Sequence, residues 1–243
     1  MKIALIGYGK MGKTIERVAQ ERGHEVVLRL DINNPEDFEK LSMADVAIEF
    51  TRPDSAVGNL EKCIAAGVPV VCGTTGWLKH FEDISAQTKA QNSAFFYASN
   101  YSIGVNIFFE INRKLAEMMN TQPQYDVKME EIHHTQKLDA PSGTAITLAE
   151  GILQNVTRKE NWSSPQDAHS PSTEGGDNSI VITAKRIDPA PGTHTITYDS
   201  PIDTIEITHT AHSREGFATG AVLAAEWLFG KKGVFSMKDM LGF

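Results

Sequence analysis

Apolar and polar positions alternate along the first hundred residues in a way that predicts strands separated by helices. Five short apolar runs are candidate buried strands: residues 2–6, 25–31, 45–50, 69–73 and 94–98. Between them, apolar residues recur at helical spacing, as in the stretch from Lys10 to the stop signal at Gly23. Strands that alternate with helices predict an α/β fold with a parallel, doubly wound sheet.

The pattern changes in the second half of the chain. Residues 102–119 and the stretch from Ala145 to Leu153 each carry an apolar stripe at helical spacing. The polar stretch 155–178 predicts a long loop. Four runs alternate as strands do: residues 125–134, 179–187, 192–199 and 203–211. They predict a second, α+β domain with a mixed or antiparallel sheet, followed by a last helix near 214–229 that could complete either domain.

Composition excludes several classes of protein. The 243 residues are 41% hydrophobic and 22% charged, as in ordinary globular proteins, and no apolar run approaches the ~20 residues of a membrane span. The net charge of −8 argues against a nucleic-acid partner, because phosphate binding needs a basic face. The two cysteines, Cys63 and Cys72, make no disulfide framework, so we expect a reduced, cytoplasmic protein.

A glycine pattern near the start predicts dinucleotide binding. Gly7, Gly9 and Gly12 have G-x-G-x-x-G spacing directly after a strand and at the opening of a helix. The glycines allow a tight turn, close approach of backbone to a pyrophosphate and close packing of helix on sheet. Asp31 ends the next strand 19 residues later, where a carboxylate accepts hydrogen bonds from the adenosine ribose. The alternatives are a glycine turn without a ligand and a carboxylate that only forms a turn.

Asp31 also bears on the choice between NADH and NADPH. A carboxylate at this position repels a 2′-phosphate, and Ile32 follows it instead of a basic residue. We therefore predict that NADH is used at least as well as NADPH. Arg29 and Lys10 are the cations that could overturn this prediction.

Two further loops follow predicted strand ends, "FTRP" at 50–53 and "CGTTG" at 72–76. In an open parallel sheet the ligand lies outside the carboxyl ends of the strands. Thr51, Gly73 and Thr75 are thus placed to line the nicotinamide half of a cofactor site. Without that topology both loops would be ordinary turns.

The stretch "EIHHTQKLDAPSGTA" collects groups that hold an anion. His133 and His134 emerge at a strand end and point to opposite sides, and Lys137 follows within reach. Proline is favoured in the first turn of a helix, so Pro141 marks a helix start.

The helix start adds backbone donors to this segment. Amides of Ser142, Gly143 and Thr144 would face outward at the positive end of the helix, where a carboxylate is favoured. Taken singly, each residue has an ordinary role on the surface or as a cap, but their convergence predicts a site for a small dianion. A metal site, for which His209 and His212 are further candidates, is not predicted, because adjacent histidines face opposite ways and the acids lack ligand spacing.

The same stretch resembles the signature of the bacterial dihydrodipicolinate reductases, also described as 4-hydroxy-tetrahydrodipicolinate reductases of the diaminopimelate–lysine pathway. "GYGKMG", "FTRP", "CGTTG", "ASNYSIGVN" and "HTAHSREGFATGA" occur in the family's order, so the resemblance covers nearly the whole chain. It implies a Rossmann domain of residues 1–101 and 214–243, and a substrate domain of residues 102–213. It also implies a homotetramer assembled through the substrate domain's sheet.

The resemblance implies an NAD(P)H-dependent reduction in which water is lost from the 4-hydroxy ring, hydride reaches C4 and the enamine is protonated. His133 matches the proposed general acid and Lys137 the second proton-transfer or substrate-binding residue. His134, Ser142, Gly143 and Thr144 match the groups that bind the substrate carboxylates, and Arg214 is a weaker match. The implied cofactor contacts are Gly7, Tyr8, Gly9, Lys10, Met11, Gly12, Asp31, Phe50, Thr51, Gly73, Thr74, Thr75, Ser99, Asn100 and Tyr101.

Two alternative hypotheses about the function remain. The chain could be another two-domain nicotinamide oxidoreductase of a small dicarboxylic acid, or a non-catalytic NAD(H)-binding regulator. The chain is also short for the family between Asp31 and Asp45 and within 155–178, which bears on adenosine contacts and subunit packing.

Overall fold

The computed structural model describes residues 1–165, 176–213 and 215–243. The chain forms two compact units, the first made of Met1–Asn106 with Glu215–Phe243 and the second of Ile107–Arg214. Among the described residues, no helix combines the length and apolar character needed to cross a membrane.

The elements are numbered along the chain. The strands are β1 (Lys2–Ile6), β2 (Glu25–Leu30), β3 (Val46–Glu49), β4 (Val70–Cys72), β5 (Ala94–Tyr97), β6 (Asp126–His133), β7 (Asn161–Ser163), β8 (Ser179–Arg186), β9 (Gly192–Asp199), β10 (Thr204–Ala211) and β11 (Gly233–Phe235). The α-helices are α1 (Lys10–Glu21), α2 (Pro53–Ala65), α3 (Phe81–Ala90), α4 (Ile103–Met119), α5 (Gly143–Leu153), α6 (Glu215–Leu228) and α7 (Met237–Leu241). Two 3₁₀ helices span Pro35–Met43 and Leu78–His80.

The first unit contains a parallel six-stranded sheet in the order β11-β5-β4-β3-β1-β2. Its strands read as continuous apolar runs because both faces are buried under helices. On β1, Ile3 and Leu5 belong to the core shared with α1 and α6, while Ala4 and Ile6 belong to the core shared with α2 and α3. The predicted doubly wound parallel sheet is confirmed.

Helix α6, the last helix predicted from the sequence, belongs to the first unit, which the sequence pattern leaves open. Helix α6 packs in the first unit's core, where a Cβ on Gly220 would lie 1.7 Å from the carbonyl oxygen of Tyr101. Only glycine permits this approach. Strand β11, which adds an edge beside β5, is not among the predicted strands because it is three residues long and half-buried, with no alternation to detect.

The second unit contains a mixed five-stranded sheet in the order β10-β9-β6-β8-β7. Strand β6 is central and pairs antiparallel with β9 and parallel with β8. Alternate residues of β6, among them Val127 and Met129, enter an apolar core with Leu148 and Ile152 of α5. The mixed sheet is confirmed. The predicted loop 155–178 contains the short strand β7, and its residues 166–175 lie outside the described part.

Candidate active site

The glycine-rich turn of the first unit adopts the conformation that its spacing predicts. Gly7 has a φ of +93°, and a Cβ there would lie 2.0 Å from the carbonyl oxygen of Phe50. A Cβ on Gly12 would lie 2.2 Å from the carbonyl oxygen of Gly7, so α1 packs directly on the turn. Gly9 caps α1, and a Cβ there would meet nothing within 4 Å. The turn therefore leaves open space at a helix N-terminus, where a phosphate is favoured.

Two neighbouring clefts of the first unit share Phe50 and Thr51. Most of the predicted cofactor residues line one or the other: Gly7, Tyr8, Gly9, Asp31, Phe50 and Thr51 in the first, and Met11, Phe50, Thr51, Gly73, Thr74 and Thr75 in the second. Both clefts lie at the carboxyl ends of the parallel strands, where a nucleotide binds in such sheets. The residues present therefore fit a dinucleotide.

The 3₁₀ helix Pro35–Met43, the start of α2 and α2 itself supply lining residues that sequence reasoning missed. Phe38, Asn59 and Lys62 line the first cleft, and the Lys62 ammonium lies 4.0 Å from the centre of the Phe38 ring. An amphipathic helix with a lysine on its polar side carries no sequence signal for this role. Arg52, which lines the same cleft, adds a second cation.

Arg29, one of the two cations that could alter the choice of cofactor, already forms an ion pair within the protein. Its guanidinium contacts Glu16 of α1, and the Tyr8 hydroxyl donates to the same carboxylate. The Arg29 hydrogen bond lowers the pKa of Glu16 although burial opposes this. Arg29 is thus held as the partner of an ionised carboxylate, while Asp31 accepts a hydrogen bond from the amide of Asn33 at 2.7 Å.

Ser99, Asn100 and Tyr101 follow β5 but line neither cleft. Ser99 is exposed, and the Asn100 side chain accepts from the amide of Ser102 at 2.9 Å. Tyr101 is buried, and its hydroxyl donates to the carbonyl oxygen of Cys72 at 2.7 Å. The side chain of Tyr101 is therefore part of the core, and only its backbone remains for a ligand. Lys10 is exposed at the start of α1.

In the second unit, the end of β6 carries a buried carboxylate between two imidazoles. Glu131 has no exposed surface, and the sheet register places His194 of β9 opposite it. Its Oε2 atom lies 3.7 Å from Nδ1 of His133 and 3.7 Å from Nε2 of His194. The two rings meet edge to face with centroids 5.1 Å apart. His134, the first residue after β6, is half-buried.

The carboxylate and the loop after β6 are tied together by Arg186 of β8. Its guanidinium lies 3.2 Å from Oε1 of Glu131 and donates to the carbonyl oxygens of Lys137 and Asp139 at 3.2 and 2.6 Å. The Lys137 ammonium forms an ion pair with Asp139 at 2.7 Å. The loop that carries the predicted lysine is therefore held on the sheet by cross-strand contacts.

Helix α5 begins as the proline and serine predict, with one difference. Ser142 is the N-cap, and its hydroxyl accepts from the amide of Ala145 at 3.2 Å. The amide of Ser142 donates inward to Oε2 of Glu131 at 3.0 Å instead of facing outward, because the residue is buried. Gly143 and Thr144 carry the next amides, which have no carbonyl partner within the helix. These two remain placed to meet an anion.

The surroundings of this cluster lower the pKa of both His133 and Glu131, which gives the two groups different charges at neutral pH. Burial lowers the pKa of His133 to about 4; the Glu131 charge opposes this, while His194, Lys137 and Arg186 reinforce it. Burial alone would raise the pKa of Glu131, but hydrogen bonds from His194 and Ser142 lower it to about 2. At neutral pH the carboxylate is ionised and the His133 ring is neutral.

The same three side chains form a possible metal-ligand set. Ligand atoms of Glu131, His133 and His194 lie within 4.8 Å of one another. The carboxylate oxygens are, however, already engaged by the Ser142 amide and the Arg186 guanidinium, and a guanidinium beside a divalent cation is electrostatically unfavourable. Arg214, predicted as a weaker substrate contact, lies outside the described residues.

Both parts of the chain match models of one protein family. Residues 1–101 match the model of the dihydrodipicolinate reductase N-terminus, and residues 104–241 match that of the C-terminus. The chain belongs to the dihydrodipicolinate reductase family. It is 51% identical to the 4-hydroxy-tetrahydrodipicolinate reductase of Christiangramia forsetii over 99% of this chain and 98% of the relative. It is 35% identical to that of Neisseria meningitidis serogroup B, over 93% and 84%.

A solved structure shows that the family's fold is shared. The dipicolinate-bound dihydrodipicolinate reductase from Paenisporosarcina sp. TG-14 aligns with a TM-score of 0.77 at 22% identity, covering 99% of both chains. The resemblance drawn from the sequence motifs is thus confirmed, as is the assignment to NAD(P)H-dependent oxidoreductases. Neither the regulator nor an unrelated oxidoreductase is favoured by these matches.

Proposed function

We propose that this chain reduces 4-hydroxy-tetrahydrodipicolinate to tetrahydrodipicolinate with NAD(P)H and loss of water, in the diaminopimelate route to lysine. One observation carries the proposal: a single segment places His133, Lys137 and the first amides of α5 together, in a chain of the dihydrodipicolinate reductase family. These groups suit a ring dianion that must be held and protonated. A nicotinamide bound in the first unit would supply the hydride.

The second unit's residues then have distinct roles. The amides of Gly143 and Thr144, with His134, bind the substrate carboxylates, since charge-assisted hydrogen bonds contribute roughly 1.5–3 kcal/mol each. Lys137 exchanges its ion pair with Asp139 for the substrate. His133, neutral in the free protein, is charged only when the bound dianion raises its pKa from about 4, and it then protonates the ring.

The decisive experiment is an NADH-oxidation assay with enzymatically generated substrate. Wild type should oxidise NADH only when the ring compound is present. Lys137→Ala should lower kcat/KM about a hundredfold or more, because it removes both a charged contact and a proton-transfer group. Lys128→Ala, an exposed lysine of β6 whose Nζ lies 3.7 Å from Asp199, is the matched control and should be unaffected. An inactive wild type would contradict the proposal.

The cofactor preference predicted from the sequence has structural support. Asp31 lines the first cleft, and Arg29 on the same strand is held by Glu16; the cations that line this cleft, Arg52 and Lys62, come from the start of α2 and from α2 itself. We infer that NADH is used at least as well as NADPH. Glu16→Gln should release Arg29 and shift the kcat/KM ratio toward NADPH by about tenfold. Glu21→Gln, on the exposed face of the same helix, should leave the ratio unchanged; a hundredfold wild-type preference for NADPH would refute the inference.

The assembly and domain roles are also proposals. Residues 1–101 with 214–243 would bind the nucleotide, and residues 102–213 the substrate. Strand β10 forms an edge of the second sheet and carries exposed polar residues along its length, which suits association into a homotetramer through that sheet. Native mass spectrometry should then find four times the 26.7 kDa of one chain. Both cysteines are free and buried, in keeping with a cytoplasmic location.

A further inference from the structure

Two buried side chains at the centre of the second unit's cluster have no part in the reaction as proposed so far. Glu131 lies on β6, two residues before His133, and His194 lies opposite it on β9. Neither residue is accessible to a ligand, because Glu131 has no exposed surface and His194 is 5% exposed. Burying an ionised carboxylate is costly, so its retention calls for a reason beyond packing.

Glu131 touches both functional groups of the segment through one oxygen atom. Its Oε2 accepts the hydrogen bond of the Ser142 amide at 3.0 Å and lies 3.7 Å from Nδ1 of His133. That nitrogen is buried and has no hydrogen-bond partner among the described residues. A proton arriving on His133 Nδ1 would therefore face the carboxylate directly.

The groups that face His133 come from four places and differ in sign. Glu131 stands on its own strand, His194 on β9, Arg186 on β8 and Lys137 on the following loop. Of these, Glu131 is the one that favours a charged imidazole, while the other three oppose it. A general acid placed among cations needs such a counter-charge to take up its proton.

His194 fixes the other end of the arrangement. Its Nε2 lies 3.1 Å from the Ser142 hydroxyl, which also accepts from the amide of Ala145. The N-cap of α5 is thus held by Glu131 through its amide and by His194 through its hydroxyl. The direction of the following amides, Gly143 and Thr144, depends on this double attachment.

We propose that Glu131 and His194 are positioning residues for the reduction. Glu131 fixes the position of the His133 ring relative to the start of α5, and His194 holds the Ser142 hydroxyl in that arrangement. The inference rests on the proposed function for its kinetic readout. It predicts that the two residues affect different kinetic constants. Glu131 acts mainly through the general acid His133 and so on kcat, whereas His194 acts mainly through the amides of Gly143 and Thr144 and so on KM.

Glu131→Gln tests the first half with a side chain of the same shape. The counter-charge is lost while an acceptor for the Ser142 amide remains. We expect kcat at pH 8 to fall about tenfold to a hundredfold, since a positioned acid contributes 10²–10⁴-fold. Because His133 now loses its proton at lower pH, the alkaline limb of kcat should move down and activity should recover toward acidic pH. A purely structural defect would instead lower kcat equally at every pH.

His194→Leu tests the second half by removing the nitrogen that holds Ser142. KM for the ring substrate should rise about tenfold, with a smaller change in kcat and no downward shift of the alkaline limb. Glu130→Gln, on the other face of β6 and paired with Lys185, is the matched control and should resemble wild type.

A measurement without turnover separates this inference from the proposed function. NMR titration of His133, assigned with His133→Gln, is recorded with and without dipicolinate as a non-reacting dianion. The inference requires a lower His133 pKa in Glu131→Gln than in wild type under both conditions, and weaker dipicolinate binding in His194→Leu. Unchanged titration and binding would overturn it even in an active enzyme. An inactive wild type with these shifts present would overturn only the proposed function.

Discussion

Among the described residues, each unit of the molecule buries one glutamate completely near the end of a central strand, and the two are surrounded differently. Glu131 of the second unit meets a guanidinium, two imidazoles and a helix-start amide. Glu49 of the first unit meets the Thr51 hydroxyl, the Asn59 amide at 3.4 Å and the Cys72 thiol at 3.1 Å. Within the described residues, Glu49 has no cationic partner.

The two sets of partners differ because the two carboxylates contact different kinds of functional group. Thr51 and Asn59 line the first cleft, so Glu49 orders neutral groups at the place where we propose that a nucleotide, with its own negative charge, binds. Glu131 stands among cations that would otherwise keep His133 unprotonated. A buried carboxylate can therefore serve as a hydrogen-bond acceptor in one unit and as a counter-charge in the other.

The largest expected contrast is in stability. Glu131→Leu leaves the Ser142 amide without its acceptor and the Arg186 guanidinium without its buried counter-charge, and it should cost about 3 to 5 kcal/mol of unfolding free energy. Glu49→Leu removes bonds to neutral groups and should cost about 1 kcal/mol. Native-state hydrogen exchange, read on peptides covering Asp126–His133 and Val46–Glu49, measures the two separately. Equal losses in the two units would remove the distinction.

The pH dependence of unfolding gives the next contrast. Burial lowers the pKa of His133 from 6.5 to about 4, so the unfolded chain takes up a proton before the folded one does. The free energy of unfolding should therefore fall as pH drops from about 6.5 to 4, by roughly 3 kcal/mol at most. His133→Gln should flatten this slope in the second unit, as measured by hydrogen exchange at each pH. A slope that persists in His133→Gln would place its origin in another group.

The smallest contrast concerns the nucleotide. Glu49→Gln keeps the shape of the side chain but changes what Thr51, Asn59 and Cys72 can donate to, so we expect NADH to bind about threefold more weakly, a change near 0.7 kcal/mol. Glu131→Gln should leave NADH affinity unchanged. Quenching of tryptophan fluorescence by NADH measures both. A weaker NADH affinity in Glu131→Gln than in Glu49→Gln would contradict the roles given to the two carboxylates.

Local features of the fold were predictable from the sequence because they depend on neighbouring residues. Gly7 and Gly12 indicate a turn that only glycine permits, and Ser142 after Pro141 indicates a helix start. The partners of Glu131 were not predictable, because His194 and Arg186 come from β9 and β8 and reach β6 only through the register of the mixed sheet.

Two short elements were not predicted from the sequence for a different reason. The 3₁₀ helix Pro35–Met43 has too few turns to develop a clear apolar stripe, and β11 is too short for alternation. Phe38 of that 3₁₀ helix, which the sequence analysis did not name, lines the first cleft. Tertiary packing, not local propensity, determines these segments.

The return of α6 and β11 to the first unit has a consequence for biosynthesis. The sheet core on one side of β1 is closed by Ala218, Ala221, Val222, Ala225 and Leu228, all of which follow the second unit in the chain. While a ribosome is still translating the second unit, the nascent first hundred residues hold an uncovered apolar surface. The second unit, whose residues are continuous, can fold first, so residues 1–106 are made before it but complete their core after it.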